Sequence, residues 1–460
     1  MVRIENSHLS KISQLKSDDP SVRSMAVEAL INESLTDEIA EIVCLLVEDP
    51  DKGVRNSVDL MLALNSSPQI PYNLVKHISS SNISTRNLAG EILLKIGTGA
   101  INAMVEYLKI VNNDDKKFIV DILGLIGDEK AAPDILNLLK NSNNDNVIMA
   151  CIEALGNLHH AEAIDVILPI YEKNELYKPT IIEAIGRIGT PKALDFIFLK
   201  YNEEDDLTKF SMIESLGLVG NEEAFFFLLS ELNEIEGPLI WPAVESIFLL
   251  KEKFSLNVPY DERMKNMVLK TSEEAPPKYK KPAANLLTAF DGDETFAACL
   301  RLFGDDFETD EIIKPKIFEE AQTFFEIVPS IINQTPPNLK NLLGLTLELV
   351  SMDVVRVKEN LSSIQIRNLT DSLTRCLDNP DEEIRKSATE NLFAFDQSTA
   401  MLFLDKILED DNLWNKLWLL EILGGINSPE TEHAISELAN DKEEMVSERA
   451  KIIQSQKSVF

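Results

Sequence analysis

The chain has 460 residues, 44% of them hydrophobic but only 7% aromatic, which is enough apolar material for a large core and excludes a disordered chain. Its 77 acidic residues against 44 basic ones give a net charge of −33, a field that disfavours nucleic acid and anionic membranes and favours basic partners. Leu, Ile and Ala recur throughout while aromatics are few, so the composition reads as all-α.

The N-terminus, Met1-Val2-Arg3-Ile4-Glu5-Asn6, leads into polar residues without an apolar leader core, and no uninterrupted apolar run reaches the ~18 residues a bilayer span needs. The expectation is a cytoplasmic protein without membrane insertion. Downstream, an acidic residue followed by two mostly apolar ones returns as Glu28-Ala29-Leu30, Asp59-Leu60-Met61, Glu91-Ile92-Leu93, Asp121-Ile122-Leu123, Glu153-Ala154-Leu155, Glu183-Ala184-Ile185, Glu214-Ser215-Leu216 and Glu245-Ser246-Ile247. The steps are 31, 32, 30, 32, 30, 31 and 31 residues. Such a period holds two helices and two turns, and one pair cannot bury its own apolar faces, so neighbours must stack into a continuous core.

Each period carries its own punctuation. Asp18-Asp19-Pro20-Ser21-Val22-Arg23 and Asp49-Pro50-Asp51-Lys52-Gly53-Val54-Arg55 place capping residues before a second helix. In Leu123-Gly124-Leu125-Ile126-Gly127, Ile185-Gly186-Arg187-Ile188-Gly189 and Leu216-Gly217-Leu218-Val219-Gly220, the second glycine stands where a left-handed cap ends the helix. The first glycine of each group permits close helix approach.

The Asp-Pro…Val-Arg turn and the Glu-Ala-Leu-Gly…Ile-Gly helix end resemble the HEAT-repeat family, and within it the short bacterial phycobilisome-lyase-type repeat, over residues 1 to 250. The resemblance implies a right-handed α-solenoid whose second helices line the concave surface. Two features depart from it. The Arg at 23, 55 and 86 becomes Lys117 and is then lost from several repeats, and residues 251 to 375 fit the pattern poorly.

Within that stretch, Lys253 to Tyr260 and Glu273 to Pro282 break the helical period with prolines, which predicts a long inter-repeat segment. Helix pairs resume loosely through Ala283–Phe290, Ile317–Ile327, Leu339–Ser351 and Ser363–Leu377. Clear repeats return at Asp378-Asn379-Pro380-Asp381 and continue through Glu390-Asn391-Leu392 and Glu421-Ile422-Leu423, with Lys442 to Phe460 as a cap helix and tail. The expected organisation is a regular array of eight repeats over 1–250, degenerate helical repeats over 251–375, and C-terminal repeats with a cap over 376–460.

At about 100° per residue, the repeated acid points away from the mean of its apolar neighbours and faces solvent. If the second helices line a groove, Glu28, Asp59, Glu91, Asp121, Glu153, Glu183, Glu214 and Glu245 form an acidic ladder along it. Duplication and intrahelical pairing, as of Glu91 with Lys95 and Glu183 with Arg187, account for such a ladder without function. Glu28 and Asp121, with no basic residue four positions on, favour a groove for a basic protein or peptide. Trp414 and Trp418, at −7 and −3 from Glu421, fall on the same outward side as a contact site or as end-cap packing; Phe118 and Tyr177 are weaker candidates.

Catalytic and cofactor signals are missing from the sequence. Cys44, Cys151, Cys299 and Cys376 are widely spaced singletons that read as buried thiols, and His159-His160 reads as a polar turn. The acidic runs Asp291 to Glu294 and Asp305 to Glu311 lack calcium-loop spacing and read as solvated loops. The expectation is a non-catalytic binding scaffold or adaptor without cofactor, in a regulatory or signalling assembly. A bilin-type chromophore lyase or isomerase is the alternative that the repeat subtype implies.

Overall fold

The computed structural model describes residues 2–352 and 354–457, and every regular element among them is helical. The chain is an all-α helical repeat solenoid, built as two compact units: Met1–Glu231 with Leu249–Leu256, and Leu232–Phe248 with Asn257–Phe460.

In the first unit the second helix of each period is Pro20–Glu28, Lys52–Leu64, Ile83–Ile96, Asn113–Ile126, Asp145–Asn157, Lys178–Ile188 and Asp206–Val219, and each packs on the next. The capping residues do what their chemistry allows. Side chains of Asp19, Asp51, Asn82, Asn112, Asn144 and Asp205 accept from free backbone N–H groups of the first turn, each contributing about 1 kcal/mol. First helices such as Asp37–Leu45, Ile101–Leu108, Ala132–Asn141 and Pro191–Lys200 form the other layer. One of them is cut to Ile164–Ile167, after which Leu168–Lys173, with Pro169 in its first turn, continues as a 3-10 helix.

The helix ends divide as their backbone angles dictate. Gly127 and Gly189 are left-handed caps, with φ of +73° and +67°. Gly220 is extended instead, at φ −60° and ψ 164°, so the expected left-handed cap is absent from that repeat. Close approach is clearest at Gly156, where an added Cβ would lie 2.8 Å from the Ala184 Cα. The stretch Ile83–Leu108 is long and apolar enough by length and composition to cross a membrane, yet it is two helices parted at Gly97, with φ of +65°.

Of the two breaks expected in the proline-rich stretch, the first is a non-helical connection over residues 255–261, whereas the second is not a break. Glu262–Glu274 ends only two residues before Pro277–Leu287 begins, with Pro277 in the first helical position and Pro282 inside the helix. Phe307–Glu319 and Ala321–Ile332 likewise hold Pro315 and Pro329 and meet at Glu320, so Ile317–Ile327 straddles two helices. The acidic run from Asp305 is a helix start and not a free loop. Asp306 accepts from the Thr309 N–H at 2.9 Å, and Asp310 from the Gly304 N–H at 2.6 Å.

Leu339–Met352 packs on Glu382–Phe395, with Val354–Asn360 and Ser363–Cys376 between them in sequence. The Asn391 amide donates to the Leu343 carbonyl at 2.9 Å across 48 residues. Phe325, stacked on Phe395 and edge-on to Phe324, fills the core there. Leu413–Gly424, Pro429–Leu438 and Glu444–Lys457 complete the described array, and residues 458–460 of the expected tail lie outside the described residues.

Candidate functional site

The repeated acids all stand on second helices, with Glu28, Glu91, Glu153 and Glu183 exposed and Asp59, Asp121, Glu214 and Glu245 half-buried. Most have partners. Glu28 accepts from the Ser57 hydroxyl at 2.8 Å. Lys95 reaches Asp59 on the preceding repeat at 2.8 Å and Glu91 on its own helix at 2.9 Å, and these carboxylates hold its ammonium above the usual lysine range. Glu183 lies 3.5 Å from Arg187, and Glu245 3.6 Å from Lys278. Asp121 is not free, because Lys117, four residues before it, is 2.6 Å away.

Glu153 differs from the rest. Among the described residues its carboxylate has no hydrogen-bonding or ionic partner. It opens onto a cavity of about 240 Å3 lined also by Asp121, Lys117, Leu125, Ala150 and Asn157. The cavity exists because the second helices come close: a Cβ on Gly124 would lie 3.0 Å from the Ala154 Cα. Leu125 is exposed beside it.

The aromatic candidates separate. Trp414 is 66% exposed, so the C-terminal helices do not cover it, whereas Trp418 is half-buried with the Lys386 ammonium 6.0 Å from its ring centroid. Glu421 forms a two-pronged ion pair with Arg449, at 2.6 and 2.8 Å. Phe118 and Tyr177 are interior contacts. Phe118 lies against Gly90 under the Arg86 guanidinium, and buried Tyr177 donates to Asp145 at 2.8 Å.

A second ladder, in the turns between the helices of each pair, escaped the sequence reading. Arg23 clamps Asp49 at 2.8 and 2.9 Å, and Arg385 clamps Asp410 at 3.0 and 2.9 Å. Both guanidiniums also donate back to carbonyls of their own turns, Ser17 and Asn379. Arg86 reaches Asp115 at 3.5 Å, Lys178 reaches Glu204 at 3.0 Å, and Lys416 reaches Asp441 at 2.7 Å. The Arg motif is therefore continued by lysine in Lys178 and Lys416 where it had looked lost. The signal was present: each of these cations stands five residues before a ladder acid or its C-terminal counterpart, Glu28, Glu91, Glu183, Glu390 and Glu421.

These pairs perturb ionisation in one direction. Burial is the largest single influence on Asp49, Asp410 and Asp441 and opposes their charge, but the hydrogen bonds from Arg23, Arg385 and Lys416, together with backbone hydrogen bonds and the cations' charge, outweigh it in sum and hold all three below the usual carboxylate range. Glu390 behaves oppositely, since burial outweighs Lys386 and raises its carboxyl.

The thiols are not poised as nucleophiles. All four thiols are buried, and burial pushes Cys44, Cys151 and Cys299 up to about 12 and Cys376 to about 11. His160 is buried beside Glu129 at 3.4 Å, and among the described residues no group of three His, Cys, Asp or Glu side chains is placed to hold a metal.

Residues 101–178 match the model of HEAT repeats. None of the curated proteins matches the chain. Among solved structures, it is similar to Kap121p bound to Nup53p, at 14% identity over 97% of this chain and 60% of that one, with a TM-score of 0.38. It is similar also to importin beta, at 14% identity over 97% and 68%, TM-score 0.36, and to the Kap95:Nup1 complex, at 12% identity over 99% and 74%, TM-score 0.42. The chain thus spans about three fifths of the length of the first of these structures.

Proposed function

We propose that this chain is a non-catalytic protein-binding scaffold whose HEAT-type second helices present an acidic face to a basic segment of a protein or peptide. The observation that carries the reading is Glu153, a carboxylate without a partner among the described residues, on a cavity whose apolar lining is Leu125, Ala150 and Ala154. A Lys or Arg side chain suits that chemistry, its stem against the apolar floor and its charge on Glu153. Close backbone packing at Gly124 and Gly156 draws the second helices together, which favours this layer as the inner side of the first unit. The net charge of −33 adds long-range attraction for the same partners.

Calorimetry with an oligo-lysine peptide tests this reading. Charge reversal at Asp121, Glu153 and Glu183 is expected to weaken binding about tenfold and to flatten its salt dependence, with unfolding temperature nearly unchanged. The control reverses Glu106, Glu222 and Glu223, exposed acids on the first-helix layer. Equal losses in the two variants would reduce the attraction to net charge and refute a specific acidic face.

A further inference from the structure

The C-terminal repeats present a face of different chemistry. The Glu421–Arg449 ion pair fixes the register of Leu413–Gly424 against Glu444–Lys457, and Gly424, one turn on, faces Ile453. Trp414 lies seven residues before Glu421, while Met445 lies four before Arg449 and Ile452 three after it. At about 100° per residue these offsets put all three on the side of the helix layer that bears the ion pair. They are 66%, 53% and 46% exposed. Trp414, Met445 and Ile452 leave a large apolar surface strung along one side of a helix pair in water.

The surroundings specify what would cover it. Glu421 and Arg449 neutralise one another. Glu444 and Glu448 are exposed and have no ionic partner among the described residues, and Asp411, beside Trp414 in sequence, is exposed with its nearest cation, Arg385, 3.7 Å away. Trp418 already carries a cation from within the chain, Lys386, whereas no cation stacked on Trp414 is found among the described residues. An open indole face on a helix pair that also exposes the unpaired Glu444 and Glu448 complements a positive charge carried on an apolar segment. A second copy of this chain, with its own charge of −33, is the wrong sign.

We infer that Trp414, Met445 and Ile452 form a docking patch for a cationic amphipathic segment of a partner protein, with an Arg or Lys stacked on Trp414 and apolar side chains seated beside Met445 and Ile452. The patch is distinct from the Glu153 site: it lies in the other unit and draws its specificity from an aromatic face. A scaffold carrying both would engage basic segments at two places with different demands, a single side chain on a carboxylate at the first and an aromatic stack joined to aliphatic surface at the second.

Fluorescence anisotropy with a labelled amphipathic peptide of Leu, Lys and Arg, about 18 residues long to make five helical turns, tests the inference at about 150 mM salt, where long-range attraction is largely screened. Its twin carries Glu in place of every Lys and Arg. The full chain is expected to bind the basic peptide and not the twin. W414A should weaken binding about tenfold, as loss of a buried aromatic anchor does, and M445A/I452A should weaken it by a smaller factor. These exposed substitutions should leave the unfolding temperature unchanged, and the weakening caused by W414A should persist when Asp121, Glu153 and Glu183 are reversed, which separates failure of the patch from failure of the ladder. Equal affinity of W414A and the unmodified protein overturns the proposal, as does equal binding of the acidic twin. Sedimentation that shows self-association abolished by W414A assigns the face to a second copy and overturns it as well.

Discussion

Arg385 and Asp410 illustrate how single residues hold consecutive repeats together. The guanidinium reads both carboxylate oxygens and two carbonyls of its own turn, so one side chain ties the start of a second helix to the turn of the next repeat. Removing one partner strands a largely buried charge. R385A is expected to cost roughly 2–3 kcal/mol, read as a fall in urea midpoint, while K406A, at an exposed pair, should cost under about 1 kcal/mol.

The same residues set the pH response. The carboxyls of Asp49, Asp410 and Asp441 are depressed in the folded chain, so their contribution is complete above the ordinary unfolded value near ~3.9 and is lost as pH falls through the folded values. Asp310 and Glu390 are raised by burial, so acidification relieves them and offsets part of the loss. Denaturant titrations from neutral pH downward should show stability falling below about pH 4, with a shallower fall in D49N/D410N/D441N. A profile unchanged by the triple substitution would remove these pairs from the acid response.

At the scale of the helix, the 31-residue period was legible wherever one acid and its apolar pair recurred at one turn's precision. It failed over 251–375 for physical reasons. Val354–Asn360, which buries none of its residues, is inserted between second helices, and the Asn391-to-Leu343 bond then spans 48 residues. Pro282, Pro315 and Pro329 look like breaks in a sequence, yet each removes only one backbone donor from a helix whose buried face holds it in place. The ladder acids were legible by angle but their partners were not, because Lys95 spans repeats to reach Asp59 and Lys117 precedes Asp121. Trp414 was legible as outward-facing, whereas the separation of Trp418 depended on Lys386 of the previous repeat.

Helix spacing gives its own prediction. An added methyl at Gly156 meets the Ala184 backbone, which cannot rotate away, so G156A must push Asp145–Asn157 off Lys178–Ile188. The expected loss is about 1–3 kcal/mol. G99A, whose nearest contact would be an ordinary 3.4 Å from the Ile96 side chain, is the control and should lie within about 0.5 kcal/mol of the parent. Equal stability of the two variants would show that the helices are not in backbone contact there.

For the whole molecule, stacked helix pairs present a great deal of patterned surface. The first unit carries a ladder whose charge is mostly answered within the chain, leaving Glu153 and its cavity unanswered. The second carries an open aromatic face. A scaffold reading therefore depends on few residues, with the paired acids acting as frame. The most direct measurement is the affinity of oligo-lysine for the protein with Asp121, Glu153 and Glu183 reversed, against the variant with Glu106, Glu222 and Glu223 reversed, from low to physiological salt. The account predicts about tenfold loss and a flattened salt slope in the first variant alone; identical curves for the two would contradict it.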